Sequence, residues 1–412
     1  MEININRIKE DIENISKFNS TPEEGCTRFS FTPEDRLARD YLINEMKKIG
    51  LQITVDAIGN IRGRLEGRNP KGPSVLTGSH IDTVPHGGNF DGVLGVVAGL
   101  EILRTIVEKE IKHDNPIELI IFIEEEGCNF GTPMAGSKAL TGMISWQELK
   151  QLVNSSGVSI YDAAKRFGLQ PDKLQDFLLN PSEIKAMLEL HVEQSVVLEN
   201  SKTSVGIVER IAGVRRLEVI FEGVSNHAGA TPMNLRQDPL AAASKIIAAI
   251  DGIVERKAYN TTVATVGKID CYPNVINVIP EKILFTVDIR DVNSKGMDIV
   301  ELEIRAMVDE VTKTYSVKSE LRITGEAPAI QLSPHIVSII EESAKSKKIQ
   351  SLKMNSGATH DACILSRITD VGMIFVPSIG GRSHVPEEST KYEDIKDGVE
   401  ILLEAILKLA NE

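Results

Sequence analysis

The chain has 412 residues, 42% apolar and 25% charged, a globular composition. That length suits two domains, since single cores stop growing near ~250 residues. Its 59 Asp and Glu against 46 Lys and Arg leave a formal net charge of −13, which argues against nucleic acid or another polyanion as partner and favours small-molecule chemistry.

Met1–Phe18 places Ile3, Ile5, Ile8, Ile12 and Ile15 at helical spacing, and its charged start lacks the apolar core of a signal peptide. No later segment approaches the ~18 uninterrupted apolar residues of a membrane span, so no membrane partner is expected and the protein is expected to be cytoplasmic. Pro33–Ile49 reads as a second amphipathic helix, started by Thr32-Pro33 and stopped by Gly50. The apolar run Ser74–Gly78 then leads to His80, and a glycine-rich loop containing Gly87-Gly88 and Asp91 opens a helix over Gly92–Val107. Ile117–Ile123 precedes Glu124, Glu125 and Glu126; small surface helices fill Ser145–Pro181; Ala186–Leu190 precedes His191.

A different rhythm follows. Strands over Arg215–Gly223, Thr261–Ile269, Lys282–Arg290 and Ser316–Thr324 alternate with helices over Asp238–Val254 and Met297–Thr314, the β-α-β-β-α-β order of a ferredoxin-like unit. This predicts an inserted α+β domain over 212–327, with 1–211 and 328–412 forming the first domain. A last apolar run, Met373–Val376, leads through Gly380-Gly381 to His384. The runs separated by helices predict an α/β first domain, a mixed, mainly parallel sheet with helices on both faces. Its site belongs at the carboxyl ends of the strands, where His80, the glutamates, His191 and His384 would converge.

Each candidate ligand is weak alone. His80-x-Asp82 is a common loop pair, Asp91 reads equally well as a helix N-cap, and a run of glutamates is usually a solvated loop. Capping leaves Gly87-Gly88 unexplained, however, and a solvated loop fits poorly after the apolar "IELIIFI". The four cysteines, Cys26, Cys128, Cys271 and Cys363, are scattered without a C-x-x-C pair, so reduced thiols are expected and a metal would need nitrogen and oxygen ligands. Three histidines, a bridging-capable aspartate and several glutamates make such a shell, suited to two divalent ions and to hydrolysis.

The segments "GSHIDTVPHGGNFDGVLGVVAGLE", "EEEGCNFGTPMAGS", "ELHVEQSVVLE", "SNHAGATPMNLRQDP", "NVINVIP", "DIRD", "GATHDACILS" and "GGRSHVPEE" resemble, in order and nearly end to end, the M20 metallopeptidase superfamily. Within it the chain is similar to the amidase, hydantoinase and carbamoylase branch, which contains N-carbamoyl-L-amino acid hydrolases and allantoate amidohydrolases. The resemblance implies His80, Asp91, Glu126, His191 and His384 as ligands of two divalent ions, zinc or else manganese, cobalt or nickel. Asp91 would bridge them, His80 and His191 holding one and Glu126 and His384 the other. Asp82 would orient His80, and Glu125 would be the general base. The resemblance also implies that His227 and Asn277 polarise the scissile carbonyl, that Arg290 clamps the substrate carboxylate, and that Gln194 lies near the carbamoyl end. It implies a homodimer whose inserted domain serves as lid and dimerisation unit, with lid residues acting in trans.

The expected reaction is cleavage of the carbamoyl C–N bond of an N-carbamoyl-L-amino acid, a small ureido or amide substrate. The alternatives are allantoate hydrolysis, aminoacylase or dipeptidase activity, and a non-catalytic binding module. Cys128-Asn129, Thr359, Arg382 and Val385 depart from the family's usual residues beside the site, which bears on substrate identity. His86, His113, His335 and His360 receive no metal role; His360 is placed to support the site from its loop.

Overall fold

The computed structural model describes residues 3–412, so Met1 and Glu2 of the expected first helix lie outside the described residues. The helix runs Ile5–Ile15; the Asn4 side chain accepts from the Asn6 N–H, and Ile8, Ile12 and Ile15 are buried. In chain order the strands are β1 (Gln52–Val55), β2 (Ile61–Leu65), β3 (Ser74–His80), β4 (Ile117–Phe122), β5 (Ile184–Val192) and β6 (Val205–Ile211). Next come β7 (Gly213–Glu222), β8 (Asn226–His227), β9 (Val263–Tyr272), β10 (Val278–Ile279), β11 (Lys282–Asp291) and β12 (Lys318–Ala327). β13 (Ile330–Gln331), β14 (Ser351–Ser356) and β15 (Asp370–Val376) follow.

The chain divides into two compact units. The first runs to Glu209 and includes Leu332–Met354 and His360–Glu412; the second is Arg210–Gln331 with Asn355–Thr359. The sequence placed the exchanges at Ala212 and Ala327, and the short return over 355–359 carried no sequence signal.

In the first unit, β4, β3, β5 and β15 lie side by side and parallel. β2 and β1 extend the sheet antiparallel beyond β4, and β6 pairs antiparallel with β15. Every residue of β3 and β4 is buried, so both faces are covered, as continuous apolar strands of a parallel sheet require. Helix Val93–Glu108 packs on β3, β4 and β5, and helix Tyr392–Asn411 on β3, β5 and β15. Helix Val93–Glu108 is buried nearly all round because helix Ile5–Ile15 also lies against it. Within β3 only glycine serves at position 78: its φ is +146°, and a Cβ there would stand 1.8 Å from the Ile120 carbonyl oxygen.

The second unit is a four-stranded antiparallel sheet in the order β12-β7-β11-β9, with a two-stranded ladder of β8 and β10. Along β11, Ile283, Phe285, Val287 and Ile289 are buried while the residues between them are more exposed, the period of two of a sheet with one covered face. Helices Pro239–Ile247 and Ser294–Tyr315 pack against that face. The helix expected over Asp238–Val254 is two, Pro239–Ile247 and Ile250–Lys257, because the Ala249 N–H donates three residues back to Ile246 and tightens the turn there. No helix among the described residues is long and apolar enough to cross a membrane.

Candidate metal centre

Parallel pairing places the carboxyl ends of the central strands on one edge: His80 of β3 stands beside Phe122 of β4, and His191 of β5 beside Phe375 of β15. His80 and His191 are both buried, and each turns Nδ1 to a main-chain carbonyl, Asp82 and Val192 respectively, at 2.9 Å. A carbonyl can only accept, so Nδ1 carries the hydrogen and Nε2 is left to ligate. Both Nε2 atoms face Asp91 Oδ1, His80 at 3.5 Å and His191 at 3.2 Å.

Asp91 does not cap the following helix. The N-cap is Gly92, with φ +65° and no side-chain cap, while the Asp91 carboxylate turns to the histidines. Gly92 has to be glycine, since a Cβ would lie 2.4 Å from His80 Cε1. Asp91 Oδ2 lies 3.2 Å from His384 Nε2, and that nitrogen lies 3.6 Å from Glu126 Oε1. Burial works against the Asp91 charge, yet His191, His384 and His80 together hold its carboxyl well below the usual range. Two three-donor groups share Asp91, His80-Asp91-His191 and Asp91-Glu126-His384, and a third is Glu189-His191-His360, with donor atoms within 4.8 Å of one another in each. Imidazole nitrogens and carboxylate oxygens in threes, sharing one carboxylate, are a donor set for a pair of divalent cations.

The three glutamates diverge at once. Glu124 has φ +53°, and its carboxylate turns away from the histidines to accept from the Phe130 N–H at 3.2 Å. That turn lets Glu125 and Glu126 both face the site, Glu125 Oε2 lying 3.7 Å from His80 Nε2. Burial, then the charges of Asp361, Glu126 and Asp82, push the Glu125 carboxyl well above its usual range, with His80 opposing. The Asp82 carboxylate stands 3.7 Å from His80 Nδ1, beyond a hydrogen bond, and accepts the backbone N–H groups of Glu125 and Glu126 at 3.1 Å each. The contact that fixes the His80 ring is the Asp82 carbonyl.

Gln194, in a left-handed conformation at φ +60°, donates to Asp91 Oδ2 at 2.6 Å and lies 3.4 Å from His384 Nε2. The His360 ring meets His191 edge-on at 4.6 Å between centroids, buried behind it; burial, then the His191 charge, hold its pKa well below the usual value. His86 faces Glu24, His113 the Ile111 carbonyl and His335 Glu412. Sequence reasoning assigned no role to three further buried carboxyls, Glu189, Asp361 and Glu388, or to the half-buried Ser383. Glu189 accepts from Ser79 Oγ at 2.6 Å, and Asp361 from Ser137 Oγ at 2.5 Å. Glu388 and Ser383 bind the Asp91 loop. Asp361 stands inside "GATHDACILS", and Ser383 and Glu388 inside "GGRSHVPEE", so the segments carried the signal without the pairing.

In the second unit, His227 and Asn277 are brought together by the β8-β10 ladder, where Val278 pairs with His227. His227 Nδ1 accepts from the Gly229 and Ala230 N–H groups at 3.1 Å each, which makes Nε2 the protonated nitrogen and a donor. The Asn277 carbonyl accepts from Ala228 N–H at 3.0 Å. Arg290 is held by Asp288 Oδ1 at 2.8 Å and the Gly357 carbonyl at 3.0 Å, and remains partly exposed.

Residues 76–408 match the family model of peptidase family M20/M25/M40. The chain belongs to this family. The M20 chain is 40% identical over 403 residues to an N-carbamoyl-L-amino-acid amidohydrolase of Paenarthrobacter aurescens, covering 98% of this chain and 97% of that one. It is 34% identical to an allantoate amidohydrolase of Bacillus subtilis (strain 168), with 98% of each covered. Among solved structures, an amidase of the hydantoinase/carbamoylase family from Burkholderia multivorans superposes with a TM-score of 0.92 at 32% identity, covering 100% of this chain and 99% of that one. The M20 family is metal-dependent, and the paired donor groups of this member fit that requirement.

Proposed function

We propose that this M20 protein is an amidohydrolase that cleaves the carbamoyl C–N bond of N-carbamoyl-L-amino acids, giving the amino acid, ammonia and carbon dioxide. The observation that carries the reading is the sharing of Asp91 by two three-donor groups, with Glu125 alongside. His80 and His191 would hold one divalent ion and Glu126 and His384 the other, with Asp91 within reach of both. Zinc, manganese, cobalt and nickel all suit these donors. When bound, the ions supply an acidified water and an electrophile for the scissile carbonyl. Glu125 takes a proton from the attacking water and returns it to the leaving nitrogen, a role suited to a carboxyl raised by burial. Identity of 40% to a carbamoyl amino acid hydrolase across nearly the whole chain supports this substrate over allantoate.

The second unit serves as lid and dimerisation domain of a homodimer, its His227, Asn277 and Arg290 acting on the metal centre of the partner subunit. His227 Nε2–H, beside Asn277, suits a developing oxyanion, and the Arg290 guanidinium a substrate carboxylate. The unpaired cysteines are consistent with work in the cytoplasm.

The test is ammonia release from N-carbamoyl-L-amino acids and allantoate, and release of the free amino acid, by amine detection, from N-acyl amino acids, using chelated protein and protein reloaded with manganese or zinc. Metal-dependent release from a carbamoyl amino acid is expected. Turnover of allantoate alone would replace the substrate, and cleavage of acyl compounds alone would move the protein to the aminoacylase side.

A further inference from the structure

Gly87-Gly88 is left unexplained by helix capping, and the structure gives Gly88 a neighbour. A Cβ at Gly88 would lie 2.3 Å from both Cβ and Oε1 of Glu388, so the glycine admits a glutamate from a segment 300 residues away in the chain. Glu388 is buried, 6% exposed. Its Oε1 accepts the N–H groups of Phe90 at 2.8 Å and Asp91 at 2.9 Å. Its Oε2 accepts from Ser383 Oγ at 2.8 Å, and the same hydroxyl stands 3.0 Å from Asp91 Oδ2. Ser383 immediately precedes His384. One carboxylate therefore joins the loop that carries Asp91 to the loop that carries His384, gripping the first by its main chain and the second by its serine.

The two candidate ion positions depend on this join unequally. His80 and His191 sit at strand ends, buried, with ring orientations fixed by their own neighbours' carbonyls. His384 is on an exposed loop eight residues past β15, in a left-handed conformation at φ +59°, with 48% of its side chain exposed. Its hold on position comes from the segment around it.

We propose that Glu388, through Ser383, is a positioning residue that keeps Asp91 and His384 in register and thereby sets the affinity of the ion held by Asp91, Glu126 and His384 more strongly than that of the His80-His191 ion, which depends on the join through Asp91 alone. The inference rests on the two-ion reading above. Loss of a residue that orients ligands typically lowers metal affinity by about 10–100-fold.

The test is equilibrium titration of metal-stripped protein with zinc against a chromophoric chelator, for wild type, Glu388→Ala, Glu388→Gln and Ser383→Ala, with thermal unfolding of each to verify folding. Wild type is expected to bind two ions. Glu388→Ala should weaken one ion about 10–100-fold and the other by clearly less. Glu388→Gln keeps an acceptor for the Phe90 and Asp91 N–H groups and an amide that can donate to Ser383, so it should recover most of that loss; Ser383→Ala should fall between. Equal weakening of both ions in the folded variants, or affinities unchanged in Glu388→Ala and Ser383→Ala, would overturn the proposal. Wild type binding a single ion would show a different failure, that of the two-ion reading, and the positioning role would fall with it.

Discussion

Glu125 and Glu126 are neighbours in the chain, share the support of the Asp82 carboxylate beneath their N–H groups, and face different partners, His80 and His384. Glu125→Gln keeps the size of the side chain and removes its basicity. It should retain metal content, measured by elemental analysis, while kcat falls by about 10²–10⁴, the usual worth of a general base. Unchanged turnover would remove that role. The same crowding has a cost in the metal-free protein. Burial, then the charge of Asp82, raises Glu124 to about 8; burial, then Asp91, raises Glu126 to about 7; and burial, then Glu189, raises Asp361 to about 8. Carboxyls in the unfolded chain titrate near ~4, so the folded state holds more protons through this range and loses stability as pH rises. His384, raised to about 9 chiefly by its hydrogen bond to Asp91, adds stability that is full below ~6.5 and lost as pH climbs through 9, the same direction. The melting temperature of chelated protein should fall steadily between about pH 5 and 9, and reloading with metal should flatten the curve. A chelated protein whose melting temperature is level or rises over that window would contradict this account of the site.

At the level of elements, the strands that carry the site were legible because each is a short apolar run, three of them leading directly into His80, the glutamates and His191 and the fourth reaching His384 through a glycine pair. β3, β4, β5 and β15 lie where those runs predict them, and the parallel order puts their ends together. What stayed hidden depends on tertiary pairing. Nothing local to Asp91 distinguishes a helix cap from a metal ligand; the choice is made by Gly92, whose φ of +65° lets the carboxylate turn toward His80. Likewise, Glu388 looks like any exposed glutamate near a loop until Gly88 is found beneath it. The helix break at Ala248–Ala249 was equally unreadable, since alanine favours helix continuation and the tightened turn has no proline or glycine to announce it.

For the whole molecule, the five ligand candidates, Glu125 and Gln194 belong to the first unit, and His227, Asn277 and Arg290 to the second. If these act on a partner subunit, neither Arg290→Ala nor His80→Ala protein is active alone, but a mixture allowed to exchange subunits contains dimers with one intact site. Recovery approaching a quarter of wild-type activity is the expectation for random pairing of equal amounts; no recovery, with mixed dimers verified by mass spectrometry, would count against action in trans. The division of the chain has one more effect. The second unit takes Arg210–Gln331 and then reclaims Asn355–Thr359, where the Gly357 carbonyl receives Arg290. A graft of 210–331 from a relative would thus arrive without the short return segment that completes it, and Arg290 would meet a host's loop in place of its own. An exchange of this domain between relatives therefore has to carry two separate segments, Arg210–Gln331 and Asn355–Thr359, to keep it whole.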